Sequence, residues 1–121
     1  MEQAGELILN GKNTGMRVVT ADSFYTKLVG LMGKTSIDTG LLIMNCDSIH
    51  TFFMKTPIDA VFIDKDNKIV EIFFCLKPWK IVLPIARTRT TLELAAGSAA
   101  KMFLKKGDII TFRYIAHQAL L

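Results

Sequence analysis

Short apolar runs closed by turn-forming residues recur along the whole chain, and their spacing restricts the fold more than any other feature of the sequence. Strand-like segments return about every eight to twelve residues, the interval typical of antiparallel sandwiches and barrels. A parallel sheet would instead need a helical segment between successive strands. The sequence therefore predicts a mainly β fold, either a compact antiparallel β-barrel or a jelly-roll-like sandwich.

Turn signals place two β-hairpins in this fold. Asn10-Gly11 is a strong turn signal, and it predicts a hairpin whose loop also takes in residues 12–14. The polar run 64–68 marks the turn of a second hairpin. The predicted strands cover residues 6–9, 15–20, 40–44, 60–63, 69–76, 90–94 and 109–114.

Two helices are expected beside these strands. Apolar residues recur at helical spacing over residues 22–33, which predicts one amphipathic helix. Gly33 is suited to end that helix in a left-handed conformation. A second, short helix is predicted over residues 98–104, with the Ser98 side chain capping its first turn.

Length and composition indicate a single domain over residues 1–121, large enough to bury a core without disulfide bonds. Cys46 and Cys75 lack the spacing of a metal site, so we expect two reduced and packed thiols. No apolar run is long enough to cross a bilayer, and the first residues do not follow the pattern of a secretory signal. We therefore expect a cytoplasmic protein that does not associate with membranes.

The positive charges are concentrated in the second half of the chain. The formal net charge is +4, and after Glu71 eight lysines and arginines stand against only two carboxylates, Glu93 and Asp108. This asymmetry fits either a basic face for an anionic partner or the solvated outer surface of strands. The basic residues are not interleaved with aromatic ones, as they are in proteins that bind single-stranded nucleic acid. No nucleic-acid partner is expected.

Residues 50–64 combine a histidine, aromatic rings, a lysine and a carboxylate around one proline. Pro57 has no N–H group for a sheet ladder, so a bend or a sheet edge is expected there. Bulky apolar groups beside lysines are typical of a small-molecule site, and here they favour a small polar or anionic ligand. The candidate ligand-binding residues are Phe53, Met54, Lys55, Trp79 and Lys80. Each ring taken alone is equally typical of a hydrophobic core.

Two other functions are compatible with the same stretch. His50 with Asp59 or Glu93 would supply the acid and base of a hydrolase or lyase, if the fold brings them together. In the competing structural interpretation, Asp59 accepts backbone N–H groups near Pro57 and Glu93 bonds to a basic neighbour. A strand edge near Pro57 would alternatively serve a protein-interaction module.

Residues 46–50 contain three side chains of metal-binding types. Cys46, Asp47 and His50 could supply sulfur, oxygen and nitrogen ligands. No further ligand has a suitable spacing, because the only other histidine, His117, lies near the C-terminus. We therefore expect no metal and no cofactor.

Six motifs follow one another in a fixed order along most of the chain. They are Gly30-Leu31-Met32, HTFFMKTPID at 50–59, LKPWK at 76–80, LELAAG at 92–97, Ser98-Ala99 and KGD at 106–108. Together they resemble a family of small bacterial and archaeal proteins known only as domain of unknown function 192. That family usually has tryptophan where Phe53 stands and often proline where Ala95 stands. The resemblance implies a compact β-rich fold of barrel or jelly-roll character, and it implies no established activity.

Overall fold

The computed structural model describes residues 3–21 and 39–115, and within them the protein is mainly β, as predicted. The strands are β1 (Gln3–Leu9), β2 (Lys12–Ala21), β3 (Gly40–Met44), β4 (Ile49–His50), β5 (Ile58–Asp64), β6 (Ile69–Leu76), β7 (Ile81–Val82), β8 (Thr88–Ala95) and β9 (Ile110–Tyr114). One short helix, α1 (Ser98–Lys101), follows β8. The helix predicted over residues 22–33 lies outside the described residues.

Seven strands form one sheet in the order β6-β5-β8-β3-β2-β1-β9, and β4 pairs with β7 in a separate ribbon. Every neighbouring pair in the large sheet is antiparallel except β2 and β3, which are parallel. The sequence did not predict this parallel pair. It is compatible with the chain because residues 22–39 separate β2 from β3, and a parallel pair needs a crossover connection of about a dozen residues or more.

The two edges of the large sheet approach each other without forming a continuous ladder. Lys68, at the start of β6, forms an isolated bridge with Ile109, just before β9. The Ile69 N–H donates to the Asp108 carbonyl at 2.9 Å, and the Ile69 carbonyl accepts from the Gly107 N–H at 2.9 Å. The sheet is therefore curled toward a barrel, but among the described residues β6 and β9 are not paired with each other along most of their length.

The β1–β2 hairpin turns more tightly than its sequence suggested. Asn10 and Gly11 both have positive φ, 49° and 85°, which matches the two-residue turn favoured in hairpins. Residues 12–14 belong to β2, so the expected longer loop was wrong. The extra residues form an irregularity inside the hairpin instead, where the Thr14 hydroxyl donates to the Leu7 carbonyl at 2.7 Å.

Two apolar clusters lie on the opposite faces of β5, so this strand is buried on both sides as predicted. Val61 and Ile63 contribute to the first cluster, inside the curled sheet. Ala60 and Phe62 contribute to the second cluster, which also contains Ile49, Met54 and Val82. The β4–β7 ribbon and the loop before β5 therefore cover the outer face of the sheet.

The helix after β8 is shorter than predicted. It spans Ser98–Lys101, and its N-cap position is Gly97 at φ 94°, without a side-chain cap. The expected capping role of Ser98 was therefore wrong. Phe103 at φ 56° takes the chain out of helical geometry before residue 104. Among the described residues, no helix has the length and apolar content needed to span a membrane.

Strand β6 forms one edge of the large sheet and carries an exposed aromatic side chain, Phe74. The Ile72 N–H on this strand donates to the Glu71 carboxylate at 3.0 Å. The same carboxylate lies 3.2 Å from the Lys106 ammonium group. One amide of the edge strand is therefore covered by the side chain of its own neighbour.

Candidate functional site

Thr51 joins two loops beneath the surface of the ribbon. Its side chain and backbone are fully buried. Its N–H donates to the Lys80 carbonyl at 2.8 Å, and its carbonyl accepts from the N–H groups of Trp79 (2.9 Å) and Met54 (3.3 Å). Its hydroxyl donates to the Lys77 carbonyl at 2.7 Å and accepts from the Lys80 N–H at 2.9 Å. The loop after β4 and the loop after β6 are thus held in one arrangement.

This arrangement forces two bulky residues into a backbone conformation that they rarely adopt. Phe53 and Trp79 both have φ of 66°, in the left-handed region. For residues other than glycine this region costs about 1–2 kcal/mol each. Such strain persists only where the surrounding structure imposes it, and it is concentrated at functional sites in proteins. The two loops are therefore candidates for a binding surface.

The strained residues place their rings at the surface and in mutual contact. Phe53 is 56% exposed and Trp79 is 60% exposed. Their ring centroids lie 4.9 Å apart in an edge-to-face arrangement, and Phe52 lies 5.7 Å from Trp79. We call Phe52, Phe53 and Trp79 the aromatic platform. Its outward surface is available to a ligand, since the rings contact one another without being enclosed.

The platform continues onto the β4–β7 ribbon through His50. The His50 ring centroid lies 4.9 Å from that of Phe52, and the His50 Nδ1 accepts from the Phe52 N–H at 3.3 Å. Strand pairing places His50 opposite Ile81, while Ile49 and Val82 on the other face pack into the second cluster. The outer face of the ribbon is thus continuous with the aromatic platform.

A shallow groove of about 300 Å³ borders the ribbon and is lined by residues from both of its faces. Its rim includes two exposed aliphatic side chains, Ile81 at 61% and Leu83 at 73% exposure. The described residues that line it are Ser48, Ile49, His50, Phe52, Ile81, Val82, Leu83 and Pro84. We call this feature the ribbon groove. It contains no lysine, arginine or carboxylate among these lining residues.

Three lysines lie on the segments that build the platform. Lys55, Lys77 and Lys80 are all exposed, and residues 50–56 and 77–84 contain no aspartate or glutamate. Neither of the ion pairs found within the described ranges involves these lysines. The charged side chains of these two segments are therefore all positive, a pattern that favours an anionic ligand.

Asp59 is placed away from this surface. It is fully buried on β5, where its Oδ1 accepts from the Cys75 N–H and its Oδ2 from the Ala99 N–H, both at 2.8 Å. The carboxylate thereby links β5 to the end of β6 and to α1. The structural interpretation correctly predicted that Asp59 accepts hydrogen bonds from backbone N–H groups. These groups belong to distant segments, however, and not to the bend at Pro57.

Asp59 and Glu93 project to opposite faces of the sheet. Asp59 pairs with Leu94 on β8, whereas Glu93 pairs with Ala60 on β5. Cross-strand partners share a face and successive residues alternate, so the two carboxylates are separated by the sheet itself. Glu93 is buried on the side of the second cluster. The structure does not bring the two candidate carboxylates into one site.

The remaining candidates divide between core and surface. Met54 is buried in the second cluster, so it supports the loop from below rather than facing a ligand. Phe53, Lys55, Trp79 and Lys80 are exposed, as a binding surface requires. Sequence reasoning missed Thr51, Ile81 and Leu83. A buried threonine has no sequence signal of its own, and aliphatic residues in an extended segment are ordinarily assigned to the core.

The edge expected near Pro57 is not open. Strand β5 begins one residue later and is paired on both sides, with β6 and β8. In the described part of the chain, strands that pair on one side only are β6, β9, β4 and β7. Within this part of the chain, a strand with a neighbour on one side only, β7, therefore lies beside the groove, whereas β5 after Pro57 has neighbours on both sides.

The cysteines are free thiols, as expected, but they are not both packed. Cys46 is half-buried and its thiol donates to the Ser48 carbonyl at 3.0 Å, whereas Cys75 is exposed. Within residues 3–21 and 39–115, no three His, Cys, Asp or Glu side chains are grouped closely enough to hold a metal ion.

Two carboxylates outside the platform stabilise turns. The N–H of Lys68 donates to Asp64 and, with that of Asp66, lowers the pKa of its carboxyl group. The Lys105 ammonium group lies 2.9 Å from Asp108 and is the main cause of the lowered pKa of that carboxyl group. Both groups stay charged at neutral pH and belong to the fold rather than to the candidate site.

The fold and the surface together define a small open-barrel β protein that presents an aromatic, lysine-flanked face. A family profile described as DUF192, an uncharacterised ACR, matches residues 7–112. The chain therefore belongs to the family of domain of unknown function 192. This confirms the resemblance noted from its motifs.

Several relatives share this family. A UPF0127 protein of Pyrococcus horikoshii is 36% identical over 95 residues, covering 74% of this chain and 82% of the relative. A UPF0127 protein of Pyrococcus furiosus is 24% identical over 106 residues, covering 84% and 90% of the two chains. These names state no activity.

Two solved structures share the fold. One, from Sinorhizobium meliloti and described as a candidate transcription regulator, has a TM-score of 0.75 at 23% identity and covers 93% of this chain and 94% of its own. The other, a protein of unknown function from Novosphingobium aromaticivorans, has a TM-score of 0.70 at 24% identity, with coverage of 88% and 83%. At these identities the likeness establishes the fold alone.

Proposed function

We propose that the protein is a non-catalytic binding module and that the aromatic platform, with Lys55, Lys77 and Lys80 beside it, binds an anionic ligand. The observation that carries the proposal is the pair of Phe53 and Trp79, whose backbones are both strained and whose rings contact each other. Burial does not account for this arrangement, because both rings remain more than half exposed. The Thr51 hydrogen bonds that impose the strain hold both rings at the surface, as presentation to a partner requires.

The chemistry of the surface suits a ligand with both an apolar or ring-shaped part and a negative charge. Aromatic faces pack against rings and aliphatic groups, and such contacts contribute strongly in binding sites. The lysines attract the charge, and the absence of carboxylates on the same segments leaves that attraction uncompensated. Binding should accordingly weaken as the salt concentration rises.

Binding is better supported than acid/base catalysis by His50, Asp59 and Glu93. Both oxygens of Asp59 already accept backbone N–H groups in a fully buried position. Glu93 lies across the sheet from it, by the register of β5 and β8. The catalytic alternative pairs His50 with either Asp59 or Glu93, and an acid/base pair must reach the same substrate atoms. His50 could therefore act with only one of these carboxylates, and both of them are buried.

The test compares Trp79→Ala with wild-type protein in a thermal-shift screen. Anionic probes such as citrate, ribose 5-phosphate and AMP are each paired with a neutral counterpart, such as ribose or adenosine. A ligand that binds the folded state raises the melting temperature by mass action. We expect a rise for at least one anionic probe, a smaller rise at high salt, and none with Trp79→Ala.

Phe103→Ala is the matched control. Phe103 is also an exposed aromatic residue with positive φ, 56°, but it follows α1 and is not part of the platform. The control variant should respond to ligand as the wild type does. A response that survives Trp79→Ala, or that Phe103→Ala removes equally, would contradict the proposed site.

A further inference from the structure

We propose that the anionic ligand is an extended acidic peptide, with one of its apolar side chains seated in the ribbon groove. This inference rests on the proposed function and names the class of ligand. The platform and the groove share Phe52 and His50, so a single ligand can cover both. The combined surface runs from Phe53 to Pro84 along the outer face of the ribbon.

The shape of the surface favours an extended chain over a compact anion. The groove is shallow and open, and it is bordered by the exposed side chains of Ile81 and Leu83. A small polyanion would bind near the lysines and leave these aliphatic groups in water. A peptide with an aliphatic or aromatic residue would cover them, and burial of apolar surface is the main favourable term in such complexes.

The ribbon also offers a backbone edge to a peptide. Among the described strands, β4 and β7 pair only with each other, so within this part of the chain β7 has a neighbouring strand on one side only. Ile81 and Val82 form β7, which borders the groove. Extended peptides commonly add to an exposed strand edge, where main-chain hydrogen bonds give affinity and pockets select side chains.

The positive side chains of the surface favour a negatively charged peptide. Residues 50–56 and 77–84 carry Lys55, Lys77 and Lys80 and no carboxylate. A peptide with glutamates around its apolar residue would pair with these lysines at the edge of the interface. A basic peptide of the same apolar content would be repelled, so charge complementarity determines specificity here.

Trp79 provides the readout, because it is the only tryptophan of the chain and lies on the platform. Its fluorescence is titrated with a hexapeptide that has four glutamates around Leu-Phe. The comparison peptides have Ala-Ala in place of Leu-Phe, or lysines in place of the glutamates, and citrate serves as the small anion. We expect a blue shift and saturable binding with the first peptide. The alanine and lysine peptides should bind at least about tenfold more weakly, the factor that corresponds to about 1.4 kcal/mol.

Leu83→Ser tests the groove separately from the platform. Leu83 is exposed, so its replacement should not impair folding. The variant should lose about tenfold in affinity for the Leu-Phe peptide and keep its affinity for citrate, and Phe103→Ser should change neither. If citrate binds but the Leu-Phe peptide is no tighter than the alanine peptide, the peptide inference fails and the proposed function stands. If neither probe affects Trp79, both fail.

Two other occupants are distinguished by the same variant. Sedimentation with phosphatidylserine vesicles that depends on Leu83, without peptide binding, would assign the surface to a membrane and overturn the inference. Dimerisation in size-exclusion chromatography that Leu83→Ser abolishes would assign it to a second copy of the chain, and this too would overturn it. The inference is supported if the protein is a monomer, does not sediment with the vesicles and binds the Leu-Phe peptide.

Discussion

At the scale of single residues, Thr51 determines the geometry of the aromatic platform because its N–H, carbonyl and hydroxyl groups all bond to other loop residues. Threonine is isosteric with valine, and nothing in the surrounding motif marks Thr51 as structurally important. Its importance appears only when its partners, Lys77 and Lys80, are known to lie beside it.

Thr51→Val should destabilise the protein by about 1–3 kcal/mol, since the Lys77 carbonyl and the Lys80 N–H lose their hydroxyl partner in a buried position. Urea unfolding measures this change, and Trp79 fluorescence reports the altered platform. Thr111→Val on β9 is the control, because Thr111 is exposed and a surface substitution of this kind changes stability little. Equal stability of Thr51→Val and wild type would show that the hydroxyl does not hold the loops.

Backbone strain at Phe53 gives an unusual order of stability for two small replacements. Phe53→Gly should be more stable than Phe53→Ala by about 1 kcal/mol, because glycine adopts a φ of 66° without steric cost. Both variants lose the same ring contact with Trp79, so the difference between them isolates the backbone. Chemical denaturation measures it.

Phe52 supplies the comparison for this pair of variants. It has no positive φ, and at such a position alanine is as good as glycine or better. The glycine advantage should therefore be absent for Phe52→Gly against Phe52→Ala. Equal stability of Phe53→Ala and Phe53→Gly would show that the backbone at position 53 is not strained.

At the scale of elements, the turn between α1 and β9 depends on one carboxylate. Asp108 accepts from the Lys105 ammonium group (2.9 Å), the Lys105 N–H (3.0 Å) and the Asn10 amide (3.2 Å). These donors, chiefly the Lys105 side chain, lower the pKa of Asp108 in the folded state. The turn is thereby linked to the β1–β2 hairpin.

The sign of the resulting pH dependence follows from the lowered pKa. The stabilisation by Asp108 is complete above the unfolded pKa of about 4 and is lost as the pH falls through the folded pKa. Asp108→Asn should therefore lose less stability than wild type between about pH 5 and pH 2. Urea unfolding at several pH values measures this. Thr111→Val removes no titratable group and should keep the wild-type profile, and an unchanged profile for Asp108→Asn would exclude the linkage.

The elements themselves were largely predictable, because turn residues and apolar periods are local signals. The β5–β6 hairpin and the strands over 40–44 and 90–94 were found at nearly their observed positions. The parallel pairing of β2 with β3 was not predicted, since no local pattern specifies which distant strand will be a neighbour. The length of α1 was overestimated because the left-handed turn at Phe103 has no signal of the kind that glycine provides.

At the scale of the whole molecule, the sequence predicted which segments meet at the candidate surface, but not which of their residues are exposed there. The dense stretch around residues 50–56 and the break at 77–80 do meet at one surface. The burial of individual residues could not be predicted from the sequence. Met54 is buried in the core, whereas Ile81 and Leu83 are exposed. The separation of Asp59 from Glu93 depends on strand register, which reverses the face of a side chain with a shift of one residue.

The open edge of the sheet has a consequence for how copies of the protein behave toward one another. Strand β6 is long and apolar, and an edge of this kind can serve as a template for pairing between molecules. The Glu71 carboxylate accepts a hydrogen bond from one N–H group of this edge strand. It also places a negative charge where a strand of another molecule would approach. Solubility at high concentration should therefore depend on a residue that is not part of the aromatic platform. Light scattering should detect aggregates of Glu71→Ala at concentrations where wild type and Glu6→Ala stay monomeric, and equal scattering would refute this role.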